Sequence, residues 1–311
     1  MILTHTLFLT FILAVGGCLS SSSIENFPDG PKRLELKSVT SIPKIPEPFL
    51  LEGGSFSITE DETIYFVDLY DKSIVRKAKL GDPTKVTTFI NLNEWLKVEN
   101  PQTFQIDDIY SDYLGRLIVA ESTSGKILRI SKDARKLENL VDSYDGYRFS
   151  KIKGLAGNEK DQIFIGTPNA ATIYEFDPKV GKLTILNDEL VRPNDFTMNR
   201  KGDRLLVAES APNRIVVFDL DQESSADASW DLIHLPSYED EPISIDILKD
   251  RPNLLAVIIR NKQSLLFFNL SKGRIVKRVD LPAACTHVRS HQDWIYLQAE
   301  KGIIRIPNPF H

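Results

Sequence analysis

Residues 205–221 read LLVAESAPNRIVVFDLD, which is a short apolar strand, a polar turn and a second apolar strand. Five other segments repeat this plan, and the first strands of the six units begin at Ile64, Leu117, Ile163, Leu205, Leu254 and Trp294. These starts are 53, 46, 42, 49 and 40 residues apart. β-Branched and aromatic residues bounded by Gly, Asn, Asp and Ser are typical of β-hairpins. A repeat of about 45 residues built from short strands predicts a six-bladed β-propeller.

The expected fold is therefore all-β, with six blades of four antiparallel strands packed around one axis. The sixth unit ends near Ile306 and lacks an outer strand. We expect the segment RLELKSVTSI (33–42) to supply it and so to close the ring. The segment LNEWLK (92–97) is the single modest helix candidate. The alternative architectures are a β-sandwich and two separate β domains.

The composition narrows the class of protein. The chain has 311 residues, a length compatible with one or two domains, and the repeat favours one. The 38 basic residues against 43 acidic residues give a net charge of -5, so no basic surplus exists to bind nucleic acid. Two cysteines exclude a disulfide scaffold and the cysteine-rich zinc modules. A small molecule is the expected substrate or ligand.

The N-terminus predicts export. Residues 1–23 contain a short apolar run followed by small residues and serines, which is typical of a signal peptide and too short for a transmembrane span. The sequence Val15-Gly16-Gly17-Cys18 also resembles a lipoprotein signal, so a lipid anchor at Cys18 is the alternative to ordinary cleavage. The expected organisation is a signal over 1–23 and one propeller domain over 24–311. The expected location is outside the cell or in the cell envelope.

A ring of polar residues is expected at one mouth of the propeller channel. Aligning the loops before the innermost strands brings six positions into register, and these are Glu52, Asp107, Lys153, Asn194, Glu241 and His287. Such side chains need water, partners or an ion, because burying them unpaired costs several kcal/mol each. Three carboxylates and an amide oxygen suit Ca²⁺ best among divalent cations. The alternative is a solvated channel without metal, with Lys153 in an internal ion pair.

Two stretches of the chain resemble a known family. LEGGSFSITEDETIYFVDLYDKSIVR (51–76) and RPNDFTMNRKGDRLLVAESAPNRIVVFDLD (192–221) are similar to the opening and central segments of the SMP-30/gluconolactonase/LRE-like family. That family includes diisopropylfluorophosphatase-type and Drp35-type lactonases. The resemblance extends from about Phe49 to Pro307. It implies a six-bladed propeller and a metal-dependent hydrolase of a lactone or related ester.

The resemblance also implies roles for individual residues. Carried over onto this sequence, the family's divalent-metal ligands are Glu52, Asn194 and Glu241, and the expected ion is Ca²⁺. Glu241 or Asp107 would activate water. His287 is unusual for the family at its position, and it is either a further acid–base candidate or a hydrogen-bonded wall residue. The family's substrate-contacting Arg falls on Arg148, and Lys153, which the family pattern does not contain, is a further expected substrate contact.

Lys153 departs from the family pattern, because its ammonium would repel a nearby cation. Three arrangements follow: Lys153 pairs with Asp107 beside a weakened metal site, Lys153 replaces the metal, or Lys153 faces away from the channel. The second arrangement supports an alternative function. In that alternative the protein is a non-catalytic propeller that binds a small ligand or a protein partner.

Overall fold

A computed structural model of the protein describes residues 39–40, 51–96, 104–221, 229–235, 237, 240–260 and 262–310. The predicted signal segment 1–23, with Cys18, lies outside these described residues. The first described strand is β1 (Val39–Thr40). The strands that follow form six antiparallel sheets, which are the blades of a propeller, and one separate two-stranded hairpin.

The strands of the first three blades follow one another in chain order. Blade one contains β2 (Gly53–Ile58), β3 (Thr63–Asp68), β4 (Ile74–Lys79) and β5 (Asp82–Asn91). After the helix α1 (Leu92–Trp95), blade two contains β6 (Ile106–Ser111), β7 (Leu117–Glu121), β8 (Lys126–Ile130) and β9 (Leu137–Val141). A small hairpin of β10 (Ser143–Tyr144) and β11 (Tyr147–Arg148) precedes blade three. Blade three contains β12 (Leu155–Gly157), β13 (Ile163–Thr167), β14 (Thr172–Asp177) and β15 (Lys182–Asn187).

The remaining three blades repeat the plan. Blade four contains β16 (Pro193–Met198), β17 (Arg204–Glu209), β18 (Arg214–Asp219) and β19 (Ser229–His234). Blade five contains β20 (Pro242–Ile247), β21 (Leu254–Ile259), β22 (Ser264–Asn269) and β23 (Arg274–Asp280). Blade six contains β24 (Cys285–His291), β25 (Trp294–Ala299) and β26 (Gly302–Pro307).

The first strand of every blade lies nearest the axis. β2, β6, β12, β16, β20 and β24 each contact the next in this order, and β24 contacts β2, so the ring is closed. Six buried apolar clusters fill the interfaces between neighbouring blades. At the interface of blades six and one, for example, Tyr296 packs with Phe56 and Phe66. Burial of both faces of each sheet between its neighbours confirms the six-bladed propeller expected from the repeat.

The N-terminal segment closes the ring differently from the expectation. Of residues 33–42 the structure describes Val39 and Thr40, and they pair in parallel with the outer strand β23 of blade five. Blade six is joined instead by Leu51, which exchanges two backbone hydrogen bonds with Ile303 at 3.1 and 2.7 Å. Assigning 33–42 to blade six was therefore wrong for its described part, because sequence alone does not reveal which exposed sheet edge a preceding segment reaches.

The short helix appears where it was expected. α1 begins after Asn91, whose side-chain oxygen accepts a hydrogen bond from the backbone N–H of Asn93 at 3.0 Å. This cap satisfies one of the free donors at the helix start. The helix follows directly on β5, the outer strand of blade one.

Candidate active site

A cavity of about 460 Å³ lies at the channel mouth formed by the N-terminal ends of the innermost strands. We call it the central cavity, and its charged wall residues are Asp68, Lys72, Asp107, Asp108, Lys151, Lys153 and Asp195. Four of the six predicted ring residues also line it, namely Asp107, Lys153, Asn194 and His287. Glu52 and Glu241 do not.

β-Bulges determine which side chains reach this cavity. In blades two and four the pairing of the inner strand skips one residue, and the skipped residues are Asp107 and Asn194. A bulge leaves one residue unpaired and re-aims its side chain. In blade three Lys153 occupies the position equivalent to Asp107 and Asn194, and its backbone N–H donates a hydrogen bond to the carbonyl of Gly166 at 2.8 Å. The alignment of these three positions is therefore confirmed.

The other three blades have a different register from the one that the sequence alignment assumed. The skipped residue in blade five is Ile243, two positions after Glu241, and in blade six it is Thr286, one position before His287. In blade one the irregular stretch lies between Gly53 and Phe56 and so comes after Glu52. The six-position alignment was wrong in these blades, because loop length cannot locate a bulge.

The displaced residues have other environments. Glu52 is exposed, and its backbone carbonyl accepts a hydrogen bond from Leu69 at 3.3 Å. Glu241 accepts a hydrogen bond from Nε of Arg260 at 2.6 Å. Arg148 is exposed on β11 and lines neither the central cavity nor the cavity beside it. The expected substrate contact at Arg148 therefore stays a prediction without support from its position.

Asp107 and Lys153 face the central cavity from neighbouring blades. Asp107 is half-buried, and its Oδ2 accepts a hydrogen bond from the backbone N–H of Ile152 at 3.3 Å. Burial raises the pKa of Asp107 above its ordinary value, although hydrogen bonds from Ser122 and Ile152 and the charge of Lys153 act against the rise. The Lys153 ammonium has no carboxylate oxygen within 4 Å in the described part of the chain. Lys153 thus neither faces away nor forms a close ion pair with Asp107.

Asn194 completes this group. Its side-chain amide donates a hydrogen bond to the hydroxyl of Ser210, and this hydroxyl donates to the carbonyl of Pro242 at 3.1 Å. The amide is thereby anchored between blades four and five. Because the NH₂ group is engaged on Ser210, the orientation of the amide is fixed.

Beneath these residues lies a charged layer that the sequence reasoning missed. Asp195 is buried, and its carboxylate accepts a hydrogen bond of 3.1 Å from each terminal nitrogen of Arg289. Burial is the largest single influence on the pKa of Asp195 and would raise it, but the charge of Arg289, together with the other interactions of this cluster such as the hydrogen bonds from Arg289 and Ser244, holds the pKa below its ordinary value. Asp108 accepts hydrogen bonds from Ser55 at 2.6 Å and from the backbone of Gly154 at 3.1 Å. Burial, with repulsion from Asp195, raises the pKa of Asp108 to about 6.

His287 belongs to the wall of this layer. It is 7% exposed, and its Nε2–H donates to the backbone carbonyl of Phe56 at 3.2 Å. Its Nδ1 lies 3.9 Å from the carboxylate of Asp195. Burial, reinforced by the charge of Arg289, lowers the pKa of His287 to about 3, so the imidazole is neutral near pH 7. An acid–base role for His287 stays a prediction.

The sequence contains one signal for the missed layer. Asp108 and Asp195 each follow directly on a ring position, in the pairs Asp107-Asp108 and Asn194-Asp195. A second polar residue after a bulge in two repeats indicates a second layer around the axis. Its countercharge, Arg289, is 94 residues from Asp195 and could not be assigned from spacing.

The model for the SMP-30/gluconolactonase/LRE-like region matches residues 52–289. The chain belongs to this family. A gluconolactonase from Xanthomonas campestris superposes with a TM-score of 0.66 at 16% identity, over 82% of this chain and 85% of the other. A luciferin-regenerating enzyme superposes with a TM-score of 0.63 at 15% identity, over 83% of this chain and 91% of the other. A streptogramin B lyase superposes with a TM-score of 0.60 at 17% identity, over 84% of this chain and 83% of the other.

These similarities at low identity show the fold alone. The three names describe different activities, so the propeller itself does not choose among them. No curated protein sequence matches the chain. In the described residues no helix has the length and apolar character needed to cross a membrane.

The residues expected to bind a divalent cation in this family member do not fit such an ion. Glu241 is engaged with Arg260, and Glu52 lies outside the central cavity. Asn194 remains at the mouth, but Lys153 stands beside it and its ammonium would repel a cation. Within the described ranges no three His, Cys, Asp or Glu side chains are grouped to hold a metal. Positive charge at this mouth is supplied by lysine.

Proposed function

We propose that this family member hydrolyses a lactone or a related ester in the central cavity. Family membership supports the reaction class, and a volume of about 460 Å³ suits a small molecule. The observation that carries the proposal is the pair of Asp107 and Lys153, a carboxylate with a raised pKa and an ammonium without a close counterion on one cavity wall.

Asp107 acts as the general base in this scheme. A raised pKa makes a carboxylate a stronger proton acceptor. The backbone N–H of Ile152 fixes one carboxylate oxygen, which holds the side chain toward the cavity. A water molecule between Asp107 and the substrate can therefore lose its proton to Asp107 as its oxygen attacks the carbonyl carbon.

Lys153 stabilises the charge that forms on the carbonyl oxygen. As the new carbon–oxygen bond forms, the carbonyl π electrons move to the oxygen, and a nearby fixed cation lowers the energy of this oxyanion. The oxyanion then collapses, the ester bond breaks, and the leaving alkoxide takes the proton from Asp107. The product is a hydroxy acid, and no step passes through a metal ion.

The test of this proposal is turnover of a lactone panel by the purified protein, followed as acid release in a pH-stat. Replacing Lys153 by Met should reduce kcat roughly 100-fold or more, the size of effect seen when an oxyanion-stabilising group is lost. Lys153 is exposed, so the variant should fold normally. Lys179→Met, on an exposed turn of blade three, is the matched control and should keep the wild-type rate. Absence of turnover on every lactone tested would reject the proposal.

A second candidate function is ligand binding without catalysis. Ile243 favours it, because this apolar side chain occupies the bulge of blade five where blades two and four present Asp107 and Asn194. A propeller with this function would bind the product or a substrate analogue, as measured by calorimetry, and would leave every lactone unhydrolysed. The same panel therefore separates the two candidates.

A further inference from the structure

A second cavity of about 430 Å³ lies beside the central one, between the mouth ends of blades three, four and five. We call it the lateral cavity. It shares Lys151, Lys153 and Asn194 with the central cavity, so a molecule of moderate size can reach into both. Its other polar and charged wall residues are Asn169, Arg192, Glu241 and Arg260.

Positive charge dominates the lateral cavity. Four cationic side chains line it against a single carboxylate, that of Glu241. This carboxylate is already bound to Nε of Arg260 at 2.6 Å. The charged ends of Lys151, Lys153 and Arg192 have no carboxylate oxygen within 4 Å among the described residues. Three cations that line one cavity without close counterions repel one another. An anionic ligand bound in the cavity would reduce that repulsion.

The backbone holds the two lysines at the junction of the cavities. Lys151 has a φ of +51°, a left-handed conformation that costs energy for a residue with a side chain. Gly154 follows with a φ of +79°, and its N–H is bound to Asp108 at 3.1 Å. A Cβ at Gly166 would lie 2.2 Å from the Lys153 carbonyl, so the strand packs tightly behind the loop. The lysines are thus presented by a constrained turn.

Arg260 is oriented for binding an oxyanion. Its backbone N–H donates to the carbonyl of Glu241 at 2.8 Å, and its Nε donates to the Glu241 carboxylate. A guanidinium fixed through Nε presents its terminal nitrogens as a planar fork that matches a carboxylate or phosphate. Glu241, expected from the sequence to bind metal, thus acts as a positioning residue for Arg260.

We propose that the lateral cavity binds an anionic group, a carboxylate or a phosphate, of the molecule whose ester carbonyl lies at Asp107 and Lys153. This inference rests on the proposed hydrolase function and names its substrate class as acidic lactones or esters. Arg192 and Arg260 bind the anion, and Lys151 adds long-range attraction. The mouth would then select acidic substrates over neutral ones of the same ring size.

The test compares lactones that differ only in charge. One pair is a five-membered lactone carboxylate and its primary amide, and the other is a lactone with a phosphorylated hydroxymethyl group and its unphosphorylated form. The acidic members should show a kcat/KM roughly tenfold or more above their neutral counterparts. Arg192→Gln should lower the ratio of kcat/KM for the acidic lactones to kcat/KM for their neutral counterparts by about tenfold. The pair with the larger charge preference identifies the anion.

The matched control is Arg135→Gln, which removes the same charge from an 87% exposed side chain on a remote turn of blade two. This variant should behave like the wild type on all four lactones. Calorimetry with inorganic phosphate gives a readout independent of turnover. Phosphate should bind the wild type and Arg135→Gln alike, and should bind Arg192→Gln and Arg260→Gln more weakly.

The outcomes separate the two proposals. Equal kcat/KM for acidic and neutral lactones would overturn the anion site and leave the hydrolase function in place. No turnover of any lactone, together with phosphate binding that Arg192→Gln weakens, would reject the hydrolase and support the anion site. Phosphate binding that neither arginine substitution changes would also overturn the inference.

Discussion

Replacing Asp107 by Asn is expected to reduce kcat by about 10²–10⁴-fold, the usual contribution of a general base. The amide keeps the size of the side chain and can still accept the Ile152 N–H, so the fold should be retained. It cannot take a proton from water at neutral pH. The measurement is the initial rate on the best lactone of the panel, with circular dichroism to verify folding.

The pH profile gives a second readout of the same residue. Burial raises the pKa of Asp107 above its ordinary value of 3.8. The wild-type rate should therefore fall as the pH is lowered, and this fall should begin at a higher pH than it would with an exposed Asp as the base. The residual rate of Asp107→Asn should lack that acidic limb. Asp280→Asn, on the outer strand β23 of blade five, is the control and should keep both rate and profile. Wild-type kinetics in Asp107→Asn would remove Asp107 from the mechanism.

Replacing Arg289 by Met is expected to lower the free energy of unfolding by about 3–5 kcal/mol at neutral pH. Arg289 is partly buried in the channel, with its side chain 15% exposed, and it holds Asp195 through two hydrogen bonds of 3.1 Å. Its removal leaves that carboxylate buried without a countercharge, with Asp108 nearby. Urea denaturation measures the loss. Arg135→Met, at an exposed position, should change stability by less than about 0.5 kcal/mol.

The loss should depend on pH. In the wild type Arg289 holds the pKa of Asp195 below its ordinary value, so this stabilisation is present above the unfolded-state pKa and is lost as pH falls through the folded-state pKa. Without Arg289, burial raises the pKa of Asp195, and the variant loses stability as pH rises. The difference between the two proteins is therefore largest near neutral pH and shrinks toward about pH 4. Adding Asp195→Asn to Arg289→Met should restore part of the stability. An equal loss of stability at neutral pH and at about pH 4 would rule out Asp195 as its cause.

The fold could be predicted well from the sequence because every blade repeats the same local strand–turn–strand pattern. Each hairpin is fixed by neighbouring residues, as in Leu205–Asp219, and the apolar faces leave radial packing as the way to bury both sides. Ring closure was harder to predict. The choice between Leu51 and the segment 33–42 depends on contacts between distant parts of the chain, such as Leu51 with Ile303.

The site was predicted in part, and bulges explain both the successes and the errors. Asp107, Lys153 and Asn194 occupy matching positions, and sequence alignment found them. In blade five the alignment of the loops placed Glu241 at the ring position, whereas the strand register brings Ile243 to the mouth. The partner of Glu241, Arg260, became apparent only once β20 and β21 were paired.

Lactone turnover with and without a divalent-metal chelator distinguishes Lys153 from a metal ion as the source of positive charge at the reacting carbonyl. If Lys153 supplies this charge, kcat is the same before and after exhaustive chelation, added Ca²⁺ gives no gain, and Lys153→Met loses turnover. Turnover that disappears on chelation and returns with Ca²⁺ would rule out this role of Lys153.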